Sequence, residues 1–415
     1  MNNKKPNNKK PNNKKPNVKK PNNKQIIEKR IITKIINKAT TLNYYDTDNL
    51  NSIVYNNGVS MWQGIRTMIN DDTNYLISGT SNPSPAKGVA TLYEGNISLT
   101  DIINIFTILP SGYEYSSGYG TDQDNTYTYL VGTGQPNGST SNLGFLFKAN
   151  TLSDLLNYVT TQSSDPIPKA IKPNFYYPNI NLTCDYVYCH SISNGMMVGN
   201  GLIVTGNGSD TLTSVTAFIY NTDIYDINNI LTSSVIVKYP NSVITSVYTI
   251  LYNGNNSYTI AGGYGMDDNL SLTDLYKDGS PVPYFRGFIA DFDSSTKVFS
   301  NWLTISTKNL FELTHIQGIT HLPNGNYGAS VDVFSSRLKK THGYFVEINR
   351  SNNKIQNWIE LKYSNGSYTT ANSVANYNVV GKTVIPNDKS FTSQTSISFI
   401  SGSNSSPLVT NGISN

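Results

Sequence analysis

Between residues 314 and 363 apolar and polar positions alternate in four short runs separated by turn residues. His315 to Thr320 alternates as a strand does, Pro323-Asn324-Gly325-Asn326 supplies turn chemistry, and Tyr327 to Phe334 alternates again. After a polar loop, Gly343 to Ile348 predicts a third strand. Ser351-Asn352-Asn353-Lys354 turns the chain back into a fourth, Gln356 to Leu361. The unit is a four-stranded meander.

The pattern recurs. Third strands of the same type read as GVATLY from Gly88, GFLFKA from Gly144, GFIADF from Gly287 and GYFVEI from Gly343, with VTAFIY from Val215 and TSISFI from Thr395 lacking the glycine. A second strand precedes each, at Asn74, Thr128, Gly201, Ser257, Asn326 and, more loosely, Gly381. Asp291 to Ile305 parallels Glu347 to Leu361 through a whole hairpin, with Asn-Trp in each fourth strand. An Asn-rich, hairpin-rich chain can also produce such matches by coincidence.

A lone four-stranded meander cannot bury both faces, and its edges invite aggregation; radial stacking removes both problems. Four-stranded repeats of roughly 40 to 60 residues therefore predict an all-β fold, a β-propeller of about six four-stranded blades over residues 45–402, followed by a flexible tail over 403–415. The last unit has a weak fourth strand. Either Leu408-Val409-Thr410 completes it, or a strand returns from the N-terminal end at Ser52 to Tyr55.

Composition suits this picture. Only 14% of the 415 residues are charged and 37% are hydrophobic, a bias that fits strands with polar faces and many turns. The excess of Asn, Ile, Lys and Tyr is similar to that of uncharacterised Asn-rich repeat proteins of giant amoebal DNA viruses, which implies a virus protein, and a virion component as one reading. The hairpin Asp291 to Trp302 resembles those of quinoprotein-type propellers, without any cofactor residue. No cofactor is expected.

The N-terminal region is different. Residues 1–24 repeat Asn-Asn-Lys-Lys-Pro, with Val18 in the fourth copy, and a proline every fifth residue with almost no apolar side chains predicts a disordered arm. Residues 25–44 are read as a short amphipathic helix and a linker: Ile27, Ile31, Ile32, Ile35 and Ile36 share one half of a helical wheel, with a strand of paired isoleucines as the alternative. Residues 1–38 carry thirteen Lys/Arg against Glu28, a net of +12, which leaves −8 on the rest of a chain whose formal charge is +4. Lys4, Lys5, Lys9, Lys10, Lys14, Lys15, Lys19 and Lys20 therefore form a candidate polyanion-binding segment, for nucleic acid, an anionic surface or an acidic partner, or else a solvated spacer.

No apolar run reaches about 18 residues and no secretory segment opens the chain, so no transmembrane segment is expected and the reading is intracellular. Cys184 and Cys189, five apart in one expected strand, would face opposite ways and form no disulfide. The sequons at Asn96, Asn137, Asn181 and Asn207 follow from composition.

In a propeller, the loops between units and those joining second to third strands emerge on one face. There, Phe175, Tyr176 and Tyr177 in one long loop, and Tyr284 and Phe285 beside Asp267, Asp268, Asp274 and Asp278 in another, form a candidate wall for a glycan or protein partner. His190 and His315 begin comparable inner strands and are weak metal candidates, as are Asp267, Asp268 and Asp274, whose spacing does not fit an EF-hand. Trp62, Trp302 and Trp358 are expected between sheets. Glycoside hydrolysis needs paired carboxylates, and the inner strands offer Glu114 and Asp185. GxSxG, P-loop, Rossmann and CxxC patterns are all missing from the sequence. The sequence therefore favours a non-enzymatic interaction or structural protein, with a carbohydrate-active propeller enzyme as the alternative.

Overall fold

The computed structural model describes residues 43–46, 61–69, 71–81, 88–96, 102–108, 113–149, 169–171, 174–177, 180–184, 186–205, 212–222, 234–266, 285–307, 312–335, 340–361, 368–386 and 394–402. The Lys-rich repeat and the isoleucine segment lie outside them. So do Asp185, Asp267, Asp268, Asp274 and Tyr284.

The chain enters through β1 (Asn43–Asp46). The first sheet is β2 (Met61–Met68), β3 (Asp71–Ser81), β4 (Val89–Asn96) and β5 (Ile102–Ile108). The second is β6 (Tyr113–Gln123), β7 (Thr128–Pro136), β8 (Leu143–Ala149) and β9 (Lys169–Ile171). A small hairpin, β10 (Asn174–Tyr177) with β11 (Ile180–Thr183), precedes the third sheet. That sheet is β12 (Tyr186–Ser193), β13 (Met196–Thr205), β14 (Leu212–Asn221) and β15 (Val235–Val237). The fourth is β16 (Ile244–Gly254), β17 (Ser257–Gly265), β18 (Phe285–Asp293) and β19 (Val298–Ile305). The fifth is β20 (Glu312–His321), β21 (Tyr327–Ser335), β22 (Lys340–Asn349) and β23 (Lys354–Glu360). These five sheets each use consecutive strands.

A sixth sheet holds β24 (Tyr368–Ala375), β25 (Asn378–Pro386), β26 (Gln394–Gly402) and, as its fourth strand, β1. The N-terminal end thus completes the last sheet through Asn43–Asp46, while Ser52 to Tyr55 and Leu408 to Thr410 lie outside the described residues. The innermost strands pack in order, β2 on β6, β6 on β12, then β16, β20 and β24, and β24 returns to β2. The fold is an all-β propeller.

Local chemistry explains the meanders. First and second strands are joined by tight turns whose residues tolerate positive φ, Asn194-Gly195 and Asn255-Asn256 among them. Apolar side chains from facing sheets fill the spaces between blades, as where Val247, Ile250, Tyr258 and Phe288 of the fourth sheet meet Val198 and Ile219 of the third. Trp62 is fully buried, Trp302 packs on Phe288 and Phe299, and Trp358 meets Tyr344 edge-on. The repeated Asn-Trp has a structural cause: Asn301 donates to the Asp291 carboxylate, and Asn357 donates to that of Glu347. Arg350 of the fifth sheet reaches Asp291 of the fourth at 2.7 Å.

Two expectations need correction. Phe175, Tyr176 and Tyr177 lie in β10, a strand paired with β11, where prolines suggested a loop. Cys184 precedes β12 instead of lying in its strand, and both cysteines enter the same core cluster as buried thiols outside any disulfide. Burial pushes the Cys189 thiol well up, which makes it unreactive.

Candidate functional site

Every innermost strand breaks its pairing at a comparable place near the axis, and β2, β6 and β16 each break it once more elsewhere. The register slips between Trp62 and Gly64, Gly118 and Gly120, Cys189 and Ser191, Val247 and Thr249, Ile316 and Gly318, and Ala371 and Ser373. Each slip leaves one residue without a partner on the second strand: Gln63, Tyr119, His190, Tyr248, Gln317 and Asn372. A β-bulge re-aims its extra side chain, and all six of these residues line the central channel. The residue after each bulge is small because the inner strands crowd at the axis. A Cβ on Gly120 would stand 2.6 Å from the His190 carbonyl oxygen, and one on Gly318 would stand 2.8 Å from Ser373 Cα.

The channel has two parts. A chamber of about 520 Å³ lies around the N-terminal ends of the inner strands of the third, fourth and fifth sheets. A neck of about 320 Å³ lies at the level of the bulges, and the two share Tyr119, His190, Tyr248, Gln317 and Thr370. Just beyond the bulges Arg66 closes the channel. Its guanidinium donates to the carbonyls of Ile319 at 3.1 Å and Ile250 at 2.7 Å, and to the Ser191 hydroxyl at 3.3 Å, so one side chain joins four sheets. Burial lowers the pKa of this guanidinium, opposed by the attraction of Asp122. Burial also pushes Asp122 up to about 6.

Aromatic rings form the chamber wall. The His190 ring stacks on Tyr248 at 4.2 Å and on Tyr119 at 5.3 Å, Tyr248 meets His315 edge-on at 4.1 Å, and Phe285 lies 5.6 Å from His315. Burial pushes His190 and His315 down to about 3, so both rings are neutral near pH 7. His315 contacts Ser246 through Nε2 at 3.2 Å, and its Nδ1 accepts from Gln317 Nε2 at 2.8 Å, which places its proton on Nε2. Neither ring nitrogen of His190 has a hydrogen-bond partner among the described residues.

Asp332 lines the same chamber, directly opposite His315 in the β20–β21 register. One carboxyl oxygen accepts from the Ala371 backbone N–H at 2.7 Å and the other is 3.4 Å from Gln317 Nε2. Burial outweighs these bonds and pushes Asp332 up to about 7, an acid poised near neutrality.

Of the residues singled out in the sequence, His190, His315 and Phe285 come together here. The two histidines do not converge on one point, because Tyr248 contacts both rings. No group of three His, Cys, Asp or Glu able to hold a metal occurs among the described residues. Glu114 sits on β6 away from the lining of both cavities. Sequence reading missed Tyr119, Tyr188, Tyr248, Gln317 and Asp332. The available signal was a large polar or aromatic residue followed by Gly, Ser or Thr, once per inner strand.

No protein-family model and no curated protein matches the sequence. Solved structures similar to this chain include the GH93 α-L-arabinofuranosidase of Fusarium graminearum, at 10% identity, covering 82% of this chain and 92% of that chain with a TM-score of 0.36. The mannose phosphorylase of Leishmania mexicana follows at 10% identity, 77% and 97% coverage and 0.34. The α-L-arabinanase of Penicillium chrysogenum stands at 10%, 86% of each chain and 0.34.

Proposed function

We propose that this chain is a binding protein whose recognition site is the chamber at the mouth of the channel, and that the ligand is a saccharide. One observation carries the reading: a cavity of about 520 Å³ in which Tyr119, Tyr188, Tyr248, Phe285 and Phe334 meet Asn200, Ser246, His315, Gln317 and Asp332. Apolar ring faces with a few convergent polar groups are what a hydroxyl-rich, flat-faced ligand requires. The basic segment of residues 1–38, at +12, anchors the protein to a polyanion or an acidic partner.

A glycan array probed with the full chain tests the site. Tyr248→Ala is expected to weaken any bound glycan at least about tenfold, since truncating a central aromatic costs on the order of 2 kcal/mol. Retention of full affinity by that variant would remove the chamber from recognition. For the anchor, deleting residues 1–38 is expected to abolish salt-sensitive association with heparin or DNA.

A second reading rests on Asp332. A carboxyl held near neutrality inside a cavity can serve as a general acid, and a carbohydrate-active enzyme would use it so. Binding is preferred because Asp332 is the one carboxyl among the described chamber-lining residues, whereas hydrolysis draws on a pair. Release of reducing sugar by the wild type, abolished in Asp332→Asn, would establish the enzymatic reading instead.

A further inference from the structure

We propose that the neck recognises an anionic group, so that the ligand is an acidic saccharide whose carboxylate docks on Lys382. This rests on the chamber being the saccharide site.

The neck is lined by two cations, Arg66 and Lys382, and by no carboxylate among its described residues. Their situations differ. Arg66 is held by the two carbonyls and the hydroxyl that it bridges, and it feels Asp122. The Lys382 ammonium has neither an ion pair nor a hydrogen bond among the described residues. Lys382 lies on β25, opposite Thr370 of the inner strand, which places it at the level where neck and chamber meet.

Amide orientation supports the same assignment. Gln63 Oε1 accepts from Thr80 and Ser117, at 3.2 and 3.0 Å, which turns its Nε2 donor the other way, without a partner among the described residues. Asn372 donates through Nδ2 to the Trp62 carbonyl at 2.8 Å, and Gln317 donates through Nε2 to His315, so these two leave Asn372 Oδ1 and Gln317 Oε1 as acceptors. Donors therefore belong to the adjacent first and sixth sheets, and acceptors to the fifth and sixth. A sugar acid fits both sets: its carboxylate takes Lys382 and Gln63, and its hydroxyls donate to Gln317 and Asn372. A fully neutral sugar would leave a partly buried ammonium unpaired.

The test uses saccharides in matched pairs, each uronic acid oligomer beside its carboxyl-reduced counterpart, titrated calorimetrically into the full chain. The acidic member is expected to bind about tenfold tighter or more, the scale of one charge-assisted hydrogen bond. Lys382→Met is expected to erase that preference. Tyr248→Ala weakens both members. Equal affinity for both members in the wild type, or an acid preference that survives Lys382→Met, would overturn the anion site and leave the saccharide site standing. A separate arm uses gluconate: it is expected to raise the melting temperature of the wild type and not of Lys382→Met. An equal rise in both overturns the proposal even if no oligosaccharide binds.

Discussion

The junction of the third and fourth sheets and that of the fifth and sixth use the same hook with different chemistry. In the first, Asn200 on β13 donates to the Val247 carbonyl and accepts from the Val247 N–H, both at 3.0 Å. In the second, Asp332 at the matching place on β21 accepts from the Ala371 N–H at 2.7 Å. Val247 and Ala371 each stand immediately before a bulge. Asn200 satisfies both backbone groups at every pH. Asp332 can imitate it only when protonated, because an ionised carboxylate accepts and cannot donate. The same position is therefore a fixed fastening in one junction and a titratable one in the other, and both line the chamber.

The largest expected difference comes from truncation. Asn200→Ala leaves a donor and an acceptor of Val247 buried without partners and is expected to cost about 2–4 kcal/mol. Asp332→Ala removes one well-formed bond and also removes a desolvated carboxyl, so its cost is expected to be about 1–2 kcal/mol or less. Denaturant titrations at pH 7 compare the two directly; equal losses would mean that the junctions are held by something other than these side chains.

Much of the fold was legible in the sequence and little of the site was. The blades could be read because third strands such as β18 are buried on both faces, as Phe288, Ile289 and Ala290 are, and continuous apolar runs after a glycine are easy to align. The inner strands carry the chemistry, and there a bulge breaks the two-residue period at the very position that faces the axis. Reading Tyr248 or Gln317 with a strict alternation assigns them to the wrong side. Asp332 looked like one more polar strand residue, since its importance comes from Ala371, nearly forty residues later in the chain. The N-terminal contribution to the last sheet was foreseeable from ring closure, but its position was not, because Asn43–Asp46 lacks the apolar alternation that drew attention to Ser52 to Tyr55.

Asp332→Asn sharpens the comparison by making the two junctions alike. The folded-state value near 7 lies above the ordinary 3.8, so the folded protein holds a proton that the unfolded chain has already lost. The stability associated with that proton is complete below about pH 4 and is lost as pH rises through 7. The wild type should therefore fall behind Asp332→Asn progressively from pH 4 to 7, and level off above it. The gap at pH 8 is expected to be on the order of 2 kcal/mol, about half the full linkage value, because the chamber admits solvent. His190 and His315 act in the opposite direction, with folded values near 3 below the ordinary 6.5, and destabilise both proteins as pH falls below 6.5. Plotting the difference between the two proteins cancels that contribution. A difference that does not change between pH 4 and 8 would show that Asp332 titrates normally.

The smallest effect belongs to the second and third sheets, where a hydroxyl replaces the amide. Thr133 on β7 donates to the Val187 carbonyl at 2.9 Å and, less well aligned in distance, to that of Leu143 at 3.2 Å. A hydroxyl supplies one proton, so this hook satisfies one acceptor of the next blade and no donor. Thr133→Val keeps the shape and removes that single bond, with an expected loss of about 1 kcal/mol and no dependence on pH between 5 and 8. Thermal melts at both ends of that range measure it. The series Asn200, Asp332, Thr133 then orders by the number of backbone groups each side chain can satisfy. A Thr133→Val loss as large as that of Asn200→Ala would tie junction strength to apolar packing between blades instead.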